Sequence, residues 1–212
     1  RAAVNASDEA TAADPRVVQL EPGVYDIGSA SFFVPDHVSL VGAGPTATTI
    51  RSSNIRGLSV GEGAEVRDLH VDSVYVGNNG STVEVAGAAG SRFRGLKVTA
   101  SDSSTDGVIV RAASNGVRLD SLEIRVPSIG INVNFSTDVT VTNSSIVSSS
   151  DAAIGVGTSA PADLRVTNSY LETTGLNEAT IRVINSIGTY TVDITNSTLV
   201  SATGASFEPG ST

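Results

Sequence analysis

Apolar residues recur in a fixed frame along this chain: apolar, two residues, leucine or a small residue, one residue, apolar. Three late copies carry one phrase: Val141-Thr-Asn-Ser144, Val166-Thr-Asn-Ser169 and Ile194-Thr-Asn-Ser197. Ile146, Leu171 and Leu199 follow two residues after them. Earlier copies are Val66, Leu69 and Val71; Phe93, Leu96 and Val98; and Leu119, Leu122 and Ile124. The last apolar residues of the six frames lie 27, 26, 22, 25 and 28 residues apart. A period of this length marks a repeat architecture.

The frame has a physical meaning. Side chains alternate faces along a strand. The outer apolar positions are five apart, so an unbroken strand would put them on opposite faces. One tight bend brings both inside. The bend residues are Asp68, Gly95, Ser121, Asn143, Asn168 and Asn196, types that accept left-handed backbone or bond their own backbone in turns. A further apolar strand precedes each frame, at 58–60, 83–85, 108–110, 130–133, 154–156 and 181–183. Polar linkers such as 134–138 and 148–151 separate the strands, and no helical period competes. The prediction is an all-β parallel β-solenoid with three short strands per coil and about seven coils. Aliphatic columns fill its inside. Asn143, Asn168 and Asn196 stack at the bend, where they are expected to form a side-chain amide ladder.

The late asparagine bends and the Gly130-Ile-Asn-Val133 strand resemble the right-handed parallel β-helix of the pectin-lyase-like superfamily. Two N-terminal segments add to the resemblance: Leu20-Glu-Pro-Gly-Val-Tyr25, and Leu40-Val-Gly-Ala-Gly44 followed by Thr49-Ile50. It covers roughly residues 17–200. Residues 1–16 read as an N-terminal arm or cap remnant, 17–202 as the helix and 203–212 as a polar tail in which Phe207 folds over the last coil. Neither end reads as a strong cap. A chain that continues past these ends and a homo-oligomer that covers them both stay open.

Composition narrows the partners. Hydrophobic residues make up 40% and aromatics 4%, which suits stacked strands with small turns. A net charge of −9 disfavours nucleic acid and anionic membrane surfaces. No apolar run approaches the ~18 residues of a membrane span. The chain starts at Arg1 without an initiator methionine, which suggests either processing or a boundary within a longer chain. Without cysteine there are no disulfides, thiolate sites or cysteine nucleophile, and two histidines cannot build a zinc site of several imidazoles. His37 reads as a turn residue and Gly42-Ala-Gly44 as turn material rather than a phosphate loop. Asp102, Asp106 and Asp151 lack the regular spacing of a calcium repeat. No metal and no cofactor are expected.

Aligning the frames puts charges on one outer wall. Arg67, Arg94 and Asp120 precede the bend; His70, Lys97 and Glu123 follow it; Asp72 and Arg125 lie two residues further on. Asp68 sits at the corner between them. One reading is a saccharide-binding face. The plain alternative is a solvated wall of ion pairs, each of small energy. The resemblance implies that uronate-cleaving relatives use carboxylates for calcium or proton donation and an Arg or Lys as base. No paired-Asp motif on adjacent coils, Arg-x-Pro-x-x-Arg or Gly-His-Gly is present. The expectation is therefore an extracellular or surface-associated, non-catalytic β-helix with a carbohydrate-binding or adhesive face. Two alternatives stand beside it. One is a polysaccharide lyase or glycoside hydrolase acting on acidic glycans, with calcium only in that case. The other is a module of a trimeric phage tail or fibre.

Overall fold

The computed structural model describes residues 10–157, 161–176, 178–183, 190–202 and 207–208. All of its regular structure is strand, arranged in three eight-stranded parallel sheets. Sheet A contains β1 (Arg16–Gln19), β4 (Val38–Val41), β7 (Glu65–Arg67), β10 (Arg92–Arg94), β13 (Arg118–Asp120), β16 (Val139–Thr142), β19 (Ala162–Thr167) and β22 (Tyr190–Thr195). Sheet B contains β2 (Gly23–Asp26), β5 (Thr48–Ser52), β8 (His70–Ser73), β11 (Lys97–Ala100), β14 (Glu123–Val126), β17 (Ser145–Ser148), β20 (Tyr170–Thr173) and β23 (Thr198–Ser201). Sheet C contains β3 (Phe32–Val34), β6 (Arg56–Val60), β9 (Gly80–Ala86), β12 (Thr105–Arg111), β15 (Ile131–Val133), β18 (Ile154–Val156), β21 (Ile181–Val183) and β24 (Phe207–Glu208). Each strand pairs with the strand three places along the chain, so the fold is a β-solenoid of three strands per coil and about seven turns.

The repeat frame explains the winding. All six predicted bend residues have left-handed backbone: φ is 57° at Asp68, 59° at Gly95, 56° at Ser121, 52° at Asn143, 51° at Asn168 and 48° at Asn196. That single residue turns the chain from sheet A to sheet B and keeps the apolar residues on both sides inward. Val66, Val71, Val98, Ile124, Val141, Ile146, Val166 and Leu171 are all 0% exposed. Burying each such side chain contributes about 1.5–3 kcal/mol before chain entropy is set against it. Gly130, on the strand that carries the resemblance, sits where a Cβ would lie 2.6 Å from the Ala153 carbonyl oxygen and strike the Ile146 side chain. Only glycine lets the neighbouring coil approach so closely.

The late corners are linked by their serines. Leu122 N–H donates to Ser144 Oγ at 3.1 Å, Ser144 N–H to Ser169 Oγ at 3.2 Å and Ser169 N–H to Ser197 Oγ at 3.1 Å. Asn143 instead gives its amide to Asp120 Oδ1 at 2.8 Å, and among the described residues no hydrogen bond joins the side-chain amides of Asn143, Asn168 and Asn196 to one another. β1 opens at Arg16, and β24 places Phe207 beside Ile181. The rest of the expected arm (1–9) and most of the tail (203–206 and 209–212) lie outside the described residues.

Candidate functional site

The strand pairing brings the predicted wall together. Arg67, Arg94 and Asp120 are register partners on sheet A. On sheet B, His70, Lys97 and Glu123 form one column, and Asp72, Thr99 and Arg125 the next. Arg51, outside the predicted wall, joins it from the preceding strand of sheet B, where it is the register partner of Asp72.

Most of these charges neutralise one another. Arg51 Nε lies 3.0 Å from Asp72 Oδ2, Arg67 Nη1 3.0 Å from Asp68 Oδ2, Arg94 Nε 3.8 Å from Asp120 Oδ2 and Arg125 Nε 3.0 Å from Glu123 Oε1. Lys97 makes no ion pair among the described residues. Asp120 lies below the ordinary carboxylate range: burial opposes this, but hydrogen bonds from Thr142, Asn143 and Ser121 and the charge of Arg94 outweigh it.

The half-buried His70 belongs to a relay. Thr99 Oγ1 donates to Asp72 Oδ1 at 2.7 Å, so its proton is committed. The 2.8 Å contact between His70 Nε2 and Thr99 Oγ1 then has Nε2–H as donor. Burial lowers the His70 pKa from 6.5, helped by Lys97 and Arg51 and opposed by Asp72 and Glu123. A neutral imidazole follows at neutral pH, and among the described residues its Nδ1 makes no hydrogen bond.

A concave site lies on sheet A beyond this wall. A cleft of about 380 Å³ has a floor at Val139 and Leu164 and a rim of Thr137, Asp138, Asp163, Arg165, Thr191 and Asp193. Arg118 Nη2 holds Asp138 at 2.8 Å, and Arg165 Nε lies 3.4 Å from Asp193 Oδ2. The hydrogen bond from Arg118, aided by its charge and that of Arg165, keeps the Asp138 carboxyl below its usual range against slight desolvation. The carboxylate of Asp163 has no hydrogen bond or ion pair among the described residues.

Sheet C holds a third arrangement. Glu84 points outward on β9 yet is 3% exposed. It is clamped by Arg56 at 2.9 Å and by Arg111 on the other side. Asp106 accepts Ser128 Oγ at 2.6 Å, Asn132 Nδ2 at 3.0 Å and the Ile129 N–H at 3.2 Å. Burial nonetheless raises its pKa above 3.8, outweighing those three bonds, and Asp151 adds to the rise. Asp151 itself pairs with Arg182 at 2.7 Å, and Arg182 with Glu178 at 3.1 Å. Asn134 Oδ1 is buried beside this group and has no hydrogen-bond partner among the described residues. Among the described residues no three acidic or imidazole side chains are grouped to hold a metal ion.

No protein-family model matches the chain, and no curated protein sequence matches it. Solved structures match in fold. The Agl-KA catalytic domain has a TM-score of 0.60 at 15% identity, over 100% of this chain and 44% of that one. The catalytic unit of the thermostable GH87 α-1,3-glucanase from Streptomyces thermodiastaticus strain HF3-3 has 0.50 at 18%, over 94% and 42%. ORF18 of Geobacillus virus E2 has 0.51 at 10%, over 98% and 55%. The chain thus spans about half, or less, of the length of these structures. The architecture shared with these structures is the parallel β-helix, and at these identities the likeness is one of fold alone.

Proposed function

We propose that this chain is a non-catalytic β-helix that presents its lateral wall to a polysaccharide, outside the cell or at its surface. The observation that carries the reading is the register of the wall. Polar and charged side chains repeat on successive strands, about 4.8 Å apart, as His70, Lys97 and Glu123 do beside Asp72, Thr99 and Arg125. A polymer of repeating sugars lying along the axis meets a repeating set of donors and acceptors. The fold neighbours support a carbohydrate reading, since one is named as an α-1,3-glucanase catalytic unit. No helix among the described residues is long and apolar enough to cross a membrane. Electrophoresis through gels cast with single polysaccharides tests the proposal, alongside assays for new reducing ends and unsaturated uronates. Retardation without product is expected; migration unaffected by every polysaccharide overturns it.

One observation favours a second reading, an enzyme acting on glycans. Asp106 is a buried carboxyl with a raised pKa, hydrogen-bonded to Ser128 and Asn132 on an outer face, and such groups concentrate at reactive sites. Product formed by the wild type and abolished in a folded Asp106→Asn variant would replace the first reading with this one.

A further inference from the structure

We infer that the cleft on sheet A is a subsite for a neutral saccharide, and that uronate-rich polymers are excluded from it. This rests on the carbohydrate reading above and deepens it by naming the ligand class. The cleft is concave, and at about 380 Å³ it falls within the size range of small-molecule sites.

Its chemistry suits hydroxyl groups. Asp163 and Thr191 are register partners on β19 and β22, exposed and side by side across one strand spacing. A carboxylate accepts two hydrogen bonds at once, which matches adjacent hydroxyls on a sugar ring. The Thr191 hydroxyl both donates and accepts. Asp138 and Asp193 are already held by Arg118 and Arg165, so the rim is ordered before a ligand arrives. Arg165 adds the donors that a ring oxygen or hydroxyl accepts.

The same rim selects against acidic sugars. Asp138, Asp163 and Asp193 face the cleft, Arg165 is the one basic lining residue among the described residues, and it is paired with Asp193. A uronate carboxylate entering here meets like charge at short range. The wall of Arg67, Arg94 and Lys97 lies elsewhere and does not line this cleft.

The test is affinity electrophoresis of the wild type, Asp163→Leu and Thr191→Val in gels containing a neutral α-glucan, a neutral β-glucan or polygalacturonate. Both substitutions are at exposed positions, and far-ultraviolet circular dichroism checks that the β-helix persists. Retardation of the wild type by a neutral glucan is expected. It should weaken at least tenfold in Asp163→Leu and less in Thr191→Val, and polygalacturonate should bind no better to the wild type than to Asp163→Leu. Glucan binding that both variants retain in full overturns the cleft assignment and leaves the carbohydrate reading standing. Polygalacturonate binding that Asp163→Leu abolishes also overturns it. A wild type that none of the three polymers retards removes both.

Discussion

The backbone N–H of Ser144 donates to the hydroxyl of Ser169, 25 residues along the chain and one coil away, at 3.2 Å. Ser169 hands its own proton to the Thr167 carbonyl at 2.9 Å. One small inward side chain therefore satisfies a buried donor on the neighbouring coil and anchors its own turn. Ser169 is 5% exposed, so water cannot replace it easily. Ser169→Ala is expected to strand the Ser144 N–H and cost about 1–3 kcal/mol. The urea midpoint should fall at unchanged slope. Thr167→Ala, which removes only a 3.3 Å contact with Thr195, should stay within about 0.5 kcal/mol.

The corner asparagines hold a different role. Asn168 has φ of 51°, where an L residue with a Cβ is crowded unless its side chain is short and polar. Asn168→Ala should cost about 1 kcal/mol, while Asn168→Gly should lie within about 0.5 kcal/mol of the wild type. At Asn143 the amide also donates to Asp120, so Asn143→Gly should cost more than Asn168→Gly. Thermal midpoints of the three variants check the order; equal effects of Ala and Gly at Asn168 would remove backbone strain as the cause.

These two corners mark how far the amino-acid pattern reaches. The bend residues and wall columns were legible because both follow from local spacing: an odd interval demands a turn, and register carries each column onward. The serine links were not. Asn and Ser stand side by side in every late copy, and only backbone direction decides which faces inward. The inward column even changes character along the chain, from Leu69, Leu96 and Leu122 to Ser144, Ser169 and Ser197. Glu84 reads as an ordinary outward charge between Val83 and Val85. Its burial comes from Arg56 and Arg111 on other coils, at separations the unequal repeat lengths conceal. The cleft is equally non-local, assembled from side chains on three successive coils.

The Glu84 clamp should behave cooperatively. Arg56 and Arg111 reach the carboxylate from opposite sides, and the Glu84 side chain is 4% exposed. Losing one arginine leaves the other in place. Losing both leaves a buried charge unpaired, a situation that typically costs about 3–5 kcal/mol. The Arg56→Ala/Arg111→Ala double variant should therefore be destabilised by more than the sum of its single variants. A double-mutant cycle by urea denaturation measures this, and simple additivity would contradict a shared clamp.

Asp106 gives the fold an acid-favouring contribution. Its pKa is raised in the folded state, so the folded protein binds this proton more tightly than the unfolded chain does. The stabilisation is fully present below the ordinary value of 3.8 and is lost as pH rises through the folded pKa. Asp120 and Asp138 act in the opposite sense, since lowered pKa values stabilise above 3.8 and are lost on acidification. The difference between the wild type and Asp106→Asn isolates the first effect. Asn keeps an acceptor for Ser128 and the Ile129 N–H and does not titrate. The wild type should lose stability relative to Asp106→Asn as pH rises from about 4 toward 7. The difference in thermal midpoints across that range checks it, and a difference that changes in the opposite direction would show that Asp106 is not the group responsible.

His70 provides the sharpest electrostatic test, because its neighbours act with opposite signs. Burial lowers its pKa below 6.5; Lys97 and Arg51 push the same way, and Asp72 and Glu123 push back. Asp72→Asn should therefore move the His70 titration further down, and Lys97→Gln should move it up. Both follow from nuclear magnetic resonance of the imidazole protons against pH. A depressed folded pKa means that the unfolded chain takes up this proton first. The stabilisation from a neutral His70 is thus present above 6.5 and fades as pH falls through the folded value. Thr99→Val separates the relay from bulk burial. It removes the acceptor of the Nε2 proton while nearly keeping the side-chain volume, and it frees Asp72 Oδ1 of its 2.7 Å donor. If Thr99 fixes the tautomer, the variant should show a mixed Nδ1–H and Nε2–H population in nitrogen chemical shifts. An unchanged Nε2–H imidazole would mean that burial alone orients the ring.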